Sequence, residues 1–185
     1  MQEILRGLMG PRATIERLGC QTAKQGTEAV ENILNQLIEC ARQGKIDGQT
    51  PSDFLESASL EFWQERQSLE PILYLYEKYY LETPIPGDGT DVGFASVMSK
   101  IAATTEGKDR QIVIKATIDF FRRHLSDPPL CLTEVLGFAI NLKDKNLMPE
   151  AKQIATLVNK EFPDLVNRHR FLQEPIQEIL ETRSP

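Results

Sequence analysis

The chain has 185 residues with a formal net charge of −6, and charged residues make up 26% of it. A chain of this length buries about 70% of the surface that its unfolded form exposes, so it can build a core without disulfide or metal staples. Its 27 acidic residues are interspersed with 21 basic ones rather than gathered in a tail, which weighs against general nucleic-acid binding because that function needs a basic face.

The cysteine pattern indicates the redox environment of the chain and whether disulfides or a zinc site are expected. Cys20, Cys40 and Cys131 are odd in number, lie far apart and form no CxxC pair. This pattern argues against a disulfide framework and against a zinc site, so we expect a reducing, cytoplasmic environment and no metal or other cofactor. No segment approaches the ~20 consecutive apolar residues of a membrane span, so we expect none.

In the first 49 residues, the sequence predicts helices that are separated by glycine and proline residues. Residues 2–20 are interrupted by Gly7, Gly10, Pro11 and Gly19. At most a short helix such as Arg12–Leu18 is therefore expected there. A longer helix follows Gly26 and ends at Gly44, because apolar residues between these glycines recur at the three-and-four spacing of an amphipathic face.

The stretch from Thr50 to Leu81 is the predicted centre of the fold. It holds the single tryptophan, all 4 tyrosines and two of the 8 phenylalanines of the chain. Two consecutive helices are expected, because Pro71 cannot sit in a continuous helix without disrupting it and Ser68 can cap a restarted one. The concentration of Tyr and Trp is compatible with a binding groove, but core packing is the commoner use of aromatic residues at helical spacing.

A loop rich in glycine and proline, Thr83–Gly93, divides the chain nearly in half. It predicts either a functional loop on one domain spanning residues 1–185 or a hinge between helical subdomains 1–82 and 94–185. Within this loop, GDGTDVG has the spacing GxGxxxG and no preceding strand, so it is not a dinucleotide fingerprint. It also lacks the alternating acidic ligands of a calcium loop.

The second half continues the helical pattern. Helices are expected over 94–103 and 109–125, then a hairpin of helices over 133–142 and 149–162 around the turn 143–146, and short helices over 164–172 and 174–181. Pro128, Pro129, Pro163 and Pro175 are expected to mark the breaks. With no period-two alternation and no fixed repeat, the sequence predicts an all-α protein, an irregular bundle of about eight or nine helices.

No catalytic, metal or cofactor site is predicted. No serine lies in a GxSxG elbow, no ExxH pairs suggest a carboxylate-bridged metal centre, and a couple of Cys131 with His124 rests only on proximity along the chain. The glutamates of the central helices are more simply their solvated face. An enzyme whose site is scattered over several helices stays open as an alternative.

Two small basic clusters are the candidate partner-binding residues. The 122–124 cluster consists of Arg122, Arg123 and His124, and the 168–170 cluster consists of Arg168, His169 and Arg170. Paired guanidinium groups bind carboxylates or phosphates, although arginines in the last turn of a helix often only complement its dipole. We therefore expect a helical protein–protein interaction module (an adaptor, regulator or assembly factor) that holds an acidic segment of a partner. A nucleic-acid-associated regulator is the first alternative.

Overall fold

The computed structural model describes residues 12–81 and 90–182, with side chains from 12–79 and 93–182. These residues form ten α-helices and no β-strand, which confirms the predicted all-α class. The helices are α1 (Arg12–Ala23), α2 (Thr27–Arg42), α3 (Thr50–Arg66), α4 (Glu70–Leu81), α5 (Thr90–Ala103), α6 (Gly107–His124), α7 (Pro128–Asp144), α8 (Met148–Glu161), α9 (Pro163–Arg168) and α10 (Arg170–Glu181). None of the helices described is both long enough and apolar enough to cross a bilayer.

The chain divides into two compact units, Met1–Val97 and Met98–Pro185, and each is described by itself. The dividing point falls inside α5. Residues 82–89 of the predicted central loop lie outside the described residues. The last part of that loop was predicted wrongly, because residues 90–93 already belong to α5. Whether the loop is a hinge between subdomains therefore stays a prediction.

In the first unit, α1 packs closely on α3. The predicted helix Arg12–Leu18 was too short, because the helix continues through Gly19 to Ala23. Gly19 is not a break in this setting but a contact point, since a Cβ at this position would lie only 2.7 Å from the Phe54 carbonyl oxygen. Glycine here lets the two helix backbones approach each other.

The central stretch forms the two predicted helices. α3 ends at Arg66, Gln67 adopts a left-handed conformation with φ of 50°, and α4 starts at Glu70 with its N–H donating to Ser68 Oγ at 3.3 Å. Most aromatic residues of the stretch are buried rather than displayed. The buried ones are Phe54, Phe62, Trp63, Tyr76 and Tyr79. Tyr76 also contacts Phe94 of α5, with ring centroids 5.0 Å apart.

In the second unit, α7 and α8 pack together as the predicted hairpin, and α10 packs on both. The turn between them is closed by Asn146 at φ of 63°, the left-handed residue that ends many helices. The Leu147 N–H donates to the Leu142 carbonyl and the Asn146 N–H to the Lys143 carbonyl, both at 2.9 Å. These two bonds help to satisfy the carbonyl groups in the last turn of α7.

Prolines in this unit begin helices more often than they end them. Pro128 and Pro129 form the first turn of α7, so the predicted helix over 133–142 starts five residues too late. Proline suits a first turn because its missing N–H has no helical partner there anyway. Pro175 was wrongly expected to separate two helices, since it lies inside α10 and the break falls at His169.

Candidate functional site

The 122–124 cluster occupies the last turn of α6, as its position before Pro128 suggested. Arg122 forms an ion pair with Glu161 of α8, with 2.9 Å between Nη2 and Oε2. Arg123 donates from Nε to the Asp119 carbonyl of its own helix at 3.3 Å, as expected for an arginine that complements the helix end. His124 lies against Phe120, with ring centroids 4.6 Å apart. The three residues therefore have different surroundings.

The 168–170 cluster lies at the junction of α9 and α10. Arg168 is the exposed last residue of α9, and Arg170 pairs with Glu174 of α10 at 2.8 Å. His169 separates the two helices, and its ring contacts that of Phe171 in a tilted arrangement at a centroid distance of 5.1 Å. The two clusters thus belong to different helices. In each cluster, one arginine already forms an ion pair with a glutamate of this chain.

An apolar pocket lies beneath Arg122, between α6, α7 and α8. It has a volume of about 160 Å³, and we call it the Arg122 pocket. Its floor consists of the buried lining residues, namely Ile118, Leu125, Cys131, Leu132, Val135 and Val158. Its rim is reached by solvent, because Arg122 and Pro128 are exposed and Leu157 and Phe162 are half-buried. The pocket therefore opens outward and is accessible to a side chain or small molecule.

The electrostatics of the pocket are simple. Among the described residues that line it, Arg122 alone carries a charge. The Arg122 side chain is 46% exposed and its partner Glu161 is 43% exposed, so water reaches both ends of the ion pair. An ion pair this exposed contributes little to stability, at most about 1 kcal/mol. Arg122 is thus available to exchange Glu161 for another carboxylate.

Cys131 is poorly suited to nucleophilic chemistry in this pocket. Burial raises the pKa of the Cys131 thiol, an effect that the positive charge of Arg122 opposes and the charge of Glu134 reinforces. The thiolate is the nucleophilic form, so a raised pKa lowers its population at neutral pH. The couple of Cys131 with His124 that was weighed from the sequence gains no chemical support from these surroundings.

The sequence pointed to Arg122 but not to the pocket beneath it or to Glu161. The pocket is made by three helices that meet only in the folded chain. One signal was available: Leu125 and Phe162 are large apolar residues directly after the ends of α6 and α8. Both line the pocket.

The other described features give weaker candidates. A hollow of about 390 Å³ in the first unit is lined by Thr27, Arg66, Glu70, Pro71 and Tyr74. Its lining mixes opposite charges, so it indicates no particular ligand. Within the residues that the structure describes, no three His, Cys, Asp or Glu side chains gather as metal ligands would.

Comparisons with known proteins do not identify a family for this chain, so its class is described from its fold and its candidate site. No protein-family model matches the chain, and searches of curated proteins and of solved structures found no match either. Over the residues described, the class is therefore an all-α helical protein with an outward-opening apolar pocket that carries an arginine at its rim.

Proposed function

We propose that this chain is a helical protein–protein interaction module, an adaptor, regulator or assembly factor, that docks an acidic segment of a partner protein at the end of α6. The observation that carries the proposal is the position of Arg122, half exposed at the mouth of an apolar pocket. A guanidinium group makes paired, charge-assisted hydrogen bonds to carboxylates. On a chain with a net charge of −6, such a site favours an acidic partner locally against the general repulsion.

The roles of the other predicted residues follow from their surroundings. Arg123 is exposed and adjacent, so it adds positive charge beside Arg122 although it also serves its own helix end. Arg168 and Arg170 supply a second, separate positive group, in which Arg170 is already paired with Glu174. We therefore assign the main contact to Arg122, a supporting contact to Arg123, and only a peripheral role to the 168–170 cluster.

The test compares a double variant with a charge-matched control. Proteins that bind the immobilised full chain are identified from the cell that produces it, and each is then purified and its Kd measured by calorimetry. We expect Arg122→Ala with Arg123→Ala to weaken binding of the true partner by about three- to tenfold, because each exposed charge pair contributes up to about 1 kcal/mol. The thermal midpoint should hardly change, because both residues are exposed.

The control is Lys108→Ala with Lys115→Ala, which removes the same charge from exposed positions of the same helix. This control should keep the affinity of the chain for its partner. Equal losses in both double variants would show that net charge, not the site, governs binding and would refute the proposal. Strong retention on heparin by the chain, abolished by the Arg122 and Arg123 changes, would instead favour the nucleic-acid alternative.

A further inference from the structure

We infer that the Arg122 pocket receives one large apolar side chain, a leucine or a phenylalanine, from the acidic segment that docks there. The partner is thus a short linear segment in which an apolar anchor residue lies beside aspartate or glutamate. This inference rests on the proposed function and specifies the chemistry of the partner at the same site.

The dimensions of the pocket set the size of the anchor. Its volume is about 160 Å³ and its floor is apolar. An apolar cavity of roughly 150 Å³ in a protein core holds a benzene molecule, so the Arg122 pocket has room for one aromatic ring or one branched aliphatic side chain. The half-buried Leu157 and Phe162 at the rim leave a path from solvent. A longer apolar stretch of the partner would remain outside.

The existing ion pair explains why charge alone is not enough. Glu161 already holds Arg122 at 2.9 Å, and the next residue, Phe162, lines the pocket. A partner carboxylate that binds Arg122 must therefore displace a carboxylate of this chain, and exchanging one for another changes the free energy little. The gain has to come from the apolar surface that the anchor buries, which for a complete leucine or phenylalanine side chain corresponds to about ten- to a hundredfold in affinity.

The same ion pair makes Glu161 a competitor of every acidic segment that docks at Arg122. Acidic segments without an anchor gain little free energy by displacing Glu161 and bind weakly, whereas segments with an anchor also bury apolar surface and bind more tightly. Removing the competing charge with Glu161→Gln should therefore tighten binding of every acidic segment by about two- to fivefold, the range expected for an exposed ion pair. The ratio of affinities between segments with and without an anchor should stay the same, because the apolar contact in the pocket is unchanged.

The experiment uses three fluorescein-labelled peptides of aspartate and glycine that differ only at a central position, which is leucine, phenylalanine or alanine. Binding to the full chain is measured by fluorescence anisotropy. We expect the leucine or the phenylalanine peptide to bind about tenfold or more tightly than the alanine peptide.

Leu157→Trp, which places an indole at the rim to fill the pocket, should abolish this difference. Ile112→Trp, which adds the same ring at an exposed position of α6 outside the pocket lining, should preserve it.

A second measurement keeps the inference testable if the Leu157 variant unfolds. In the unchanged chain, the methyl signals of Val135 and Val158, both on the pocket floor, should shift with the leucine peptide and stay in place with the alanine peptide. Equal affinity for all three peptides, with unmoved methyl signals, would overturn the anchor while leaving acidic docking intact. If none of the peptides binds and Glu161→Gln does not rescue binding, the proposed function fails together with the inference.

Discussion

Gly19 sets how closely α1 approaches α3. A Cβ added there would lie 2.7 Å from the Phe54 carbonyl oxygen and 2.9 Å from Ser57 Cβ, both closer than van der Waals contact permits. One of the obstructing atoms is backbone, so a rotamer change cannot relieve the clash. The helices would have to separate, and the buried contacts between them would loosen.

We therefore predict that Gly19→Ala destabilises the chain by about 1–3 kcal/mol, the usual range for forcing an extra methyl group into a packed contact. Helix propensity acts in the opposite direction, since alanine is favoured over glycine in a helix by about 1 kcal/mol, so a net loss would show that packing dominates. Urea unfolding followed by circular dichroism measures the change.

The matched control for this prediction is Gly137→Ala. Gly137 also lies inside a helix, α7, but a Cβ there would meet nothing within 4 Å. The same substitution should stabilise the chain by up to about 1 kcal/mol, because alanine has the higher helix propensity. If the two glycine variants lose stability equally, the close approach of α1 and α3 does not constrain the fold.

At the scale of the helices, Arg110 joins three segments of the second unit. Its guanidinium donates to the Ala102 carbonyl from Nε at 3.1 Å and to the Thr105 carbonyl from Nη2 at 2.7 Å. Its Nη1 pairs with Glu150 near the start of α8 at 2.7 Å. One side chain thereby bonds a carbonyl group in the last turn of α5 and another just after its end, and ties both to α6 and α8. Ala102 and Thr105 are both buried, so water cannot easily replace these bonds.

Replacing Arg110 with Ala should lower the free energy of unfolding by about 2–4 kcal/mol, because buried carbonyls and a carboxylate lose a charged donor. Arg110→Lys should recover only part of this loss, since an ammonium group keeps the charge but not the planar fork. The exposed neighbour Lys108 serves as control, and Lys108→Ala should stay within about 0.5 kcal/mol of the unchanged chain. A similar midpoint for Arg110→Ala and Lys108→Ala in chemical denaturation would contradict this role.

The sequence predicted most helices because their buried faces repeat at helical spacing. In α2, for instance, the buried residues Val30, Leu34, Leu37 and Ile38 are among those that the pattern indicated. The errors fall on glycine and proline. A glycine or proline that ends one helix can have another role elsewhere. Gly19 lies at a contact between two helices, and Pro128 begins a helix. The role of such a residue depends on which helix packs against it, and the order of residues along the chain does not reveal that helix.

The candidate site was predictable only in part, for the same reason. Arg122 was identifiable as a charged residue in the last turn of a helix on an acidic chain. The pocket beneath it and the competing Glu161 arise because α6, α7 and α8 meet. Arg110 was missed too, because its partner Glu150 belongs to a helix much further along the chain.

For the whole molecule, two buried tyrosines make stability depend on pH in the alkaline range. Burial raises the pKa of Tyr79 from 10.0 to about 12, and the neighbouring Glu31 carboxylate adds to the rise. Burial also raises the pKa of Tyr76. The folded chain therefore holds these phenolic protons more tightly than the unfolded chain. The resulting stabilisation is fully present below pH 10 and is lost as the pH rises from 10 towards 12 and beyond.

We predict that the urea midpoint falls across this alkaline range and that it falls less steeply for Tyr79→Phe, which cannot titrate. At neutral pH the variant should be about 1 kcal/mol less stable, because the Tyr79 hydroxyl donates to Asn35 Oδ1 at 3.0 Å. A pH series of urea melts gives both values. Identical slopes for the variant and the unchanged chain between pH 10 and 12 would mean that Tyr79 ionises equally easily in both states.

Cys131 lines the Arg122 pocket, so its rate of chemical modification can report whether the pocket is occupied. Cys131 is buried, and burial favours its protonated thiol, so alkylation at neutral pH is slow and requires the reagent to enter the pocket. An occupant of the pocket restricts the access of the reagent to Cys131. Once Cys20 and Cys40 are replaced by serine, the rate of alkylation reports the fraction of molecules whose pocket is open and empty. Occupancy thus becomes measurable without a label on the partner.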